Sequence, residues 1–271
     1  MTPNHPDIAK RLDVALAAVR LAAQETLRWF RSGDLSVSHK HDRSPVTQAD
    51  HAAEAILRGR LLEAFPSDTF LGEESGRTAG TSAYEWIVDP IDGTKSFIRG
   101  VPLYAPLVGC RREGEGVLGV IAIPALDDLA YATAGGGAWH VVEGGPPRPA
   151  RVSRRSSLED SLVCSSDFTS FGARGDAVAG DAARRRLESA CGVVRSWGDG
   201  YGYLLVATGR AELMVDPLLN AWDAAAVETV ITEAGGRFTD WAGRPRIDSG
   251  DGVATNGLVH DAALRLLAVA S

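Results

Sequence analysis

The sequence predicts an α+β fold made of two closely packed halves. Three observations carry this expectation. The N-terminus shows two helical segments, the middle shows β-like runs separated by turns, and the C-terminal part alternates strand and helix patterns. A chain of 271 residues is long for one compact core and comfortable for two such halves.

From Asp7 to Arg31, apolar residues recur at helical spacing. Ile8, Leu12, Leu16, Val19, Ala23, Leu27 and Phe30 form one stripe, which predicts a packing helix. A polar link, SVSHKHDRSPVTQAD, follows. Its loop at residues 39–45 is expected to be mobile, because it is polar and joins two helices. Thr47, with Asp50 three residues later, has the pattern of an N-cap. The second helix runs to Ala64 and stops at Pro66. TFLG from Thr69 and YEWIVD from Tyr84 read as extended segments. Past the PIDGT turn, LYAPLVGCRR, GVLGVIAIP and LAYATA read as an antiparallel meander.

The stretch EGGPPRPARVSRRSS, from Glu143, is rich in Gly, Pro, Ser and Arg and suggests a boundary. It divides the chain into an N-terminal α+β half, residues 1–145, and a C-terminal α/β half, residues 146–271. In the second half LVCSS, VVRSW and AELMVD are predicted strands, with another near Val253. Helices are expected at Gly180–Ala190, Gly200–Gly209 and Ala224–Ala234, the last ending at Gly235-Gly236, with one more near Leu258.

Composition narrows the function classes. Hydrophobic residues at 45% and charged residues at 23% fit a soluble globular protein and argue against a fibre or a disordered chain. The formal net charge of −7 gives nucleic-acid binding no support, and the short basic runs RRSS and ARRRLES read as solvated surface. Cys110, Cys164 and Cys191 are far apart and form no CxxC, against a disulfide scaffold or a zinc site. A cytoplasmic setting fits. The N-terminal MTPNHPDIAKRLD has no apolar core of the kind a signal peptide needs, and no apolar run approaches the roughly 20 residues that span a bilayer.

Acids stand where packing alone would not ask for them. Glu73 and Glu74 follow the apolar strand TFLG. Asp89 and Asp92 bracket Pro90 and Ile91 in WIVDPIDGT, and Asp223 opens the apolar helix of AWDAAAVETVITEAGG. Each has an ordinary reading by itself: Asp-Pro-x-Asp-Gly is common turn chemistry, Glu73 and Glu74 suit a solvated loop, and Asp223 suits an N-cap. The combination is more specific. The chain is expected to turn at Asp89, so that Asp89 and Asp92 face one point at a strand end, where open sheets place ligands. Such carboxylates repel one another unless cations neutralise them. Oxygen ligands without Cys or His favour magnesium.

VTQAD, GEES, WIVDPIDGTKSF and WDAAAVETVITEAGG together resemble the inositol monophosphatase family, in its order and approximate spacing, from Lys40 to Asp240. The resemblance implies a layered αβαβα sandwich of the inositol monophosphatase and fructose bisphosphatase type, a homodimer, and a magnesium-dependent phosphatase of small phosphomonoesters. Glu73 and Asp89 would hold one Mg2+ with the Ile91 carbonyl, and Asp89, Asp92 and Asp223 a second. Glu74 and Asp50 would stand beside the metals. Asp50 would bond Thr94 and serve a weaker third metal position. Lys40 falls near the family's loop lysine. IDGTKSFIRGVPLYAPLVG and SWGDGYGYLLVATGRAELMVDPLLNAWD are closer to the family's histidinol-phosphatases, which implies L-histidinol phosphate as substrate in histidine biosynthesis.

Within that reading Thr94, with Glu73 or Asp50, orients the attacking water and helps remove its proton. The N–H groups of Gly93 and Thr94 cradle phosphate, with Asp92 and Asp223 nearby. Asp199 and Asp216 face the organic end and favour a cationic substrate; for Asp199 the alternative is a simple helix cap. His5, His39, His41, His51, His140 and His260 lack metal-ligand spacing and are assigned no chemistry. Trp222 supports the site beside Asp223, and Arg99 meets substrate, a partner subunit or only solvent. The rivals are an inositol-1-monophosphatase or sugar-phosphate phosphatase, and a metal-binding regulatory protein without activity.

Overall fold

A computed structural model of the protein describes residues 6–268, so His5 lies outside the described residues. Two helices open it, α1 (Pro6–Trp29) and α2 (Gln48–Ala64). The polar link between them is not simply a loop: β1 (Val37–His39) and β2 (Pro45–Thr47) pair as an antiparallel ribbon, with Lys40 entering the turn at its tip. Helix α1 buries Ile8, Arg11, Ala15, Ala18, Val19, Ala22 and Thr26. The expected stripe is therefore rotated: Leu27 is exposed, while Leu12, Leu16 and Ala23 are only half-buried. Small side chains take the central positions because the approach of two helices is set by the residues at their contact. The leucines flank it.

The large sheet contains β3 (Thr69–Gly72), β4 (Gly76–Thr78), β5 (Tyr84–Asp92), β6 (Ala105–Arg112), β7 (Glu115–Ile123), β8 (Asp128–Thr133), β9 (Gly137–Val142) and β10 (Arg148–Pro149). A short helix, α3 (Thr94–Ile98), follows β5. The spatial order is β10-β9-β8-β7-β6-β5-β3-β4. Only β3 and β5 are parallel; the other neighbours form the expected antiparallel meander.

The second half supplies β11 (Leu162–Cys164), α4 (Ala177–Ala190), β12 (Val193–Arg195), α5 (Gly200–Ala207), β13 (Leu213–Asp216), α6 (Ala221–Glu233), β14 (Arg237–Thr239), β15 (Gly252–Thr255) and α7 (His260–Leu267). Its sheet runs β12-β11-β13-β15-β14.

Five layers result. Helices α1 and α2 cover one face of the large sheet through Phe70, Trp86, Val88, Val108 and Val120. The opposite face, with Ile87, Leu107 and Ile121, packs on Leu204, Val206, Val227 and Val230 of α5 and α6, and the same core reaches Met214 and Ala254 of the second sheet. Helices α4 and α7 cover that sheet's outer face through Leu187 and Ala263. This is the αβαβα sandwich. Its central core draws on residues from both sides of the 145/146 division.

Helix α6 sits unusually close to the large sheet, and the run Ala224-Ala225-Ala226 is what permits it. A Cβ on Gly109 would lie 2.7 Å from the Ala225 Cβ, and one on Gly119 would lie 2.2 Å from the Ala226 carbonyl oxygen. The contact fixes the height of α6, and with it Asp223 at its start. Gly119→Ala is therefore expected to destabilise the fold by about 1–3 kcal/mol in denaturant titration. Unchanged stability would show that α6 is free to shift.

Candidate active site

Three strand ends and several helix starts deliver the acids. Glu73 and Glu74 follow β3, Asp89 and Asp92 end β5, and Asp216 ends β13. Asp50 lies in the first turn of α2, and Asp223 in that of α6.

Asp89 and Asp92 do come together, but not through a turn at Asp89. Strand β5 continues to Asp92, and its pairing with β6 slips between these two residues. Residues three apart on a regular strand point to opposite faces. The bulge removes that conflict, and Pro90, which has no N–H to give a ladder, falls inside it. The Ile91 amide donates to Asp89 Oδ1 at 2.9 Å. Carboxylate oxygens of Asp89, Asp92 and Asp223 then lie within 4.8 Å of one another, an arrangement that could hold a metal ion.

Asp223 is not the N-cap of α6. Asn220 is, and Asp223 stands three residues inside, its Oδ2 accepting the Asn220 N–H at 2.8 Å. The capping box leaves its other oxygen for the crevice. Asp50 shows the same device in α2: Oδ2 accepts the Thr47 N–H at 2.8 Å and the Thr47 hydroxyl at 2.6 Å. The free oxygen, Oδ1, accepts from Thr94 Oγ1 at 3.3 Å, and the same hydroxyl lies 3.1 Å from the Ile91 carbonyl oxygen. Thr94, Asp50 and Ile91 are therefore one connected group.

Glu73 is outside the three-carboxylate cluster. Lys40 reaches over from the ribbon, its Nζ 2.7 Å from Glu73 Oε1 and 2.7 Å from Glu74 Oε1. Sequence placed Lys40 only loosely; the ribbon turn is what aims it.

The remaining acids differ in kind. Asp199 precedes α5 without making a side-chain cap; instead its carboxylate lies over Gly93, where a Cβ would come within 2.5 Å of Oδ2. Asp216 is 2% exposed. Its Oδ1 accepts the Ser166 N–H at 2.9 Å and its Oδ2 accepts the Tyr203 hydroxyl at 2.8 Å, so both oxygens are already engaged within the protein. Trp222 packs against the central core beside Asp223. Arg99, His39, His41 and His51 are exposed. His140 bonds Asp128, and His260 is buried between the Thr239 and Thr255 hydroxyls.

Burial and mutual repulsion set the charge state. Asp89 is pushed far above the usual carboxylate range by burial, then by Glu73, Asp92 and Asp223. Asp92 is raised likewise by burial, then by Asp199, Asp223 and Asp216. Burial lifts Asp223 to about 7 against the restraint of the Asn220 amide, and lifts Asp216 to about 6. Asp50, Glu74 and Asp199 are raised too, in each case chiefly by burial. For Lys40, burial alone would lower the pKa, but the hydrogen bonds and charges of Glu73 and Glu74 outweigh it and raise it. A crevice in which so many acids resist ionisation is built for positive charge.

An αβαβα sandwich with an oxygen-only acid crevice at its strand and helix ends defines a class, the metal-site phosphoric monoester hydrolases. The chain belongs to one family within it: residues 7–270 match the inositol monophosphatase family. It is 39% identical to a histidinol-phosphatase of Chlorobaculum parvum, over 94% of this chain and 92% of that protein. To a histidinol-phosphatase of Mycobacterium tuberculosis it is 38% identical, over 97% and 98%. The inositol monophosphatase structure from Anabaena superposes with a TM-score of 0.83 at 29% identity, covering 96% of each chain. Among the described residues no helix is long and apolar enough to cross a membrane.

The raised carboxyl pKa values predict how metal-free protein responds to pH. A carboxyl whose pKa is higher folded than unfolded favours the fold while protonated, and that contribution is lost as pH rises through the folded value. For Asp223 the loss begins near the unfolded carboxylate value of 3.8 and is complete just above the folded value of about 7. Burial pushes His260 down to about 4, so it stays neutral above that range. In EDTA the thermal midpoint should therefore fall from about pH 5 to about pH 8, and magnesium should restore it. A midpoint that rises with pH in EDTA, or ignores magnesium, would contradict this charge assignment.

Proposed function

We propose that this enzyme hydrolyses L-histidinol phosphate to L-histidinol and phosphate, with two magnesium ions in the acid crevice. One observation carries the reading: Asp199 lies over Gly93, beside the Asp89–Asp92–Asp223 cluster, and so adds a carboxylate where the organic end of a bound phosphomonoester would lie. A substrate bearing an ammonium and an imidazole suits that acid better than a neutral polyol does. The names carried by the relatives at 38–39% identity support the same choice over an inositol ester.

The donors suit a hard cation, being oxygens without Cys or His. Glu73, Asp89 and the Ile91 carbonyl would hold one ion, and Asp89, Asp92 and Asp223 the other, with a weaker third position near Asp50 and Glu74. Bound there, such ions neutralise phosphate oxygens, lower the pKa of water and stabilise a departing alkoxide. The protein does the rest. Thr94, held between Asp50 and the Ile91 carbonyl, orients the attacking water, and Asp50 or Glu73 accepts its proton. The Gly93 and Thr94 amides orient the phosphate. Asp199 attracts the substrate's cationic end. Asp216, bound by Ser166 and Tyr203, braces the segment behind Asp199 rather than meeting the substrate. Family resemblance supports a cytoplasmic homodimer.

The direct test is phosphate release from L-histidinol phosphate and inositol 1-phosphate, with magnesium and then with EDTA. A large preference for the former, abolished by EDTA, is expected. Preference for the inositol ester would retain a phosphatase and overturn the role of Asp199. Asp89→Asn should lower turnover by more than about 100-fold, beyond the usual cost of an outer-shell change, without unfolding the protein. Asp199→Asn should raise KM for histidinol phosphate about tenfold and leave the inositol ester nearly unchanged, equivalent to about 1.4 kcal/mol. Equal effects on both esters would remove Asp199 from substrate selection.

A further inference from the structure

Glu54 has no place in the chemistry above, yet it is 3% exposed and forms no ion pair among the described residues. It lies on α2 one helical turn beyond Asp50, so both side chains leave the same face of the helix. Its carboxylate meets two successive amides of the turn after β3. Oε2 accepts the Glu74 N–H at 2.8 Å, and Oε1 accepts the Ser75 N–H at 2.7 Å. Those amides stand at the hairpin tip between Gly72 and Gly76, where the β3–β4 ladder leaves them without strand partners.

Gly72 completes the arrangement. A Cβ there would lie 2.5 Å from the Glu54 carboxyl carbon and 2.5 Å from Oε2. The glycine of GEES is thus required by Glu54: the carboxylate fills the space a side chain would take. Charge-assisted bonds of this kind are strong, and a two-point clamp fixes direction as well as distance.

We infer that Glu54 is a positioning residue for cation binding, clamping the turn that presents Glu73 and Glu74 to the crevice. This rests on the reading of the crevice as a divalent-cation site. Helix α2 then serves both sides of that site. Asp50 bonds Thr94 beyond β5, and Glu54 bonds the turn beyond β3. One rigid helix sets the distance between the two acid segments. Groups that orient metal-binding side chains are typically worth about 10–100-fold in metal affinity.

The test is Glu54→Gln, which keeps the size but turns one acceptor into a donor facing another N–H. Manganese and magnesium binding to the purified full chain is measured by titration calorimetry, beside thermal unfolding in EDTA. A loss of about 10-fold or more in affinity is expected, with the half-saturating magnesium in the phosphatase assay rising in step. Gly72→Ala pushes on the same carboxylate from the other side and should reproduce the loss, which keeps the inference testable if Glu54→Gln does not fold. Wild-type affinity in either folded variant would overturn the inference and leave Glu54 a structural brace. A wild-type chain that binds neither ion would instead overturn the reading of the crevice itself.

Discussion

Bringing Asp89, Asp92 and Asp223 within 4.8 Å of one another, with Asp89 buried, is unfavourable for the bare chain. Lost hydration first, and then repulsion, push all three above the normal carboxylate range. Backbone amides relieve only part of it, and Lys40 is bound to Glu73 and Glu74 instead of to these three. The rest of the fold has to hold the cluster against this repulsion.

It does so by setting the acids on rigid elements, Asp89 and Asp92 at the end of β5 and Asp223 in the first turn of α6, and by tying off oxygens of several of them. Capping boxes occupy one oxygen of Asp50 and one of Asp223 while leaving the other directed at the site. The Ile91 amide does the same for Asp89. Helix starts also offer positive field to these acids. The packing follows from this need. Helix α6 presses on glycines of β6 and β7 through its alanines, and that contact sets where Asp223 begins. Because α5 and α6 fill the space between the two sheets, the same packing that makes the core also fixes the crevice. Function and stability therefore oppose each other here, as strained sites generally do.

Much of this was legible in the sequence, for identifiable reasons. Long periodic segments gave α2, α4, α5 and α6, and the strands β3, β5, β6, β7 and β8 within a few residues. The acids were visible because Asp and Glu at the ends of apolar runs are hard to explain by packing. What escaped depends on three-dimensional detail. Strands β4, β10 and β14 have only two or three residues, and pairing rather than pattern makes them strands. The slip in β5 cannot be read from WIVDPIDGT, since Asp-Pro serves a turn as readily as a bulge. The buried face of α1 is alanine rather than leucine because helix contacts select for size. Asp216 reads from the sequence as a substrate contact, and its bonds to Tyr203 and Ser166 have no sequence signal. Glu54 resembles any helix glutamate; its only sequence signal is its spacing of one turn from Asp50.

The central claim is that divalent cations complete this acid crevice. Anomalous diffraction from crystals grown with manganese locates such ions directly. Two sites are expected, one shared by Asp89, Asp92 and Asp223 and one between Glu73 and Asp89, with Lys40 withdrawn from Glu73. Crystals saturated with manganese that show no anomalous density in the crevice, and Lys40 still between Glu73 and Glu74, would contradict the claim.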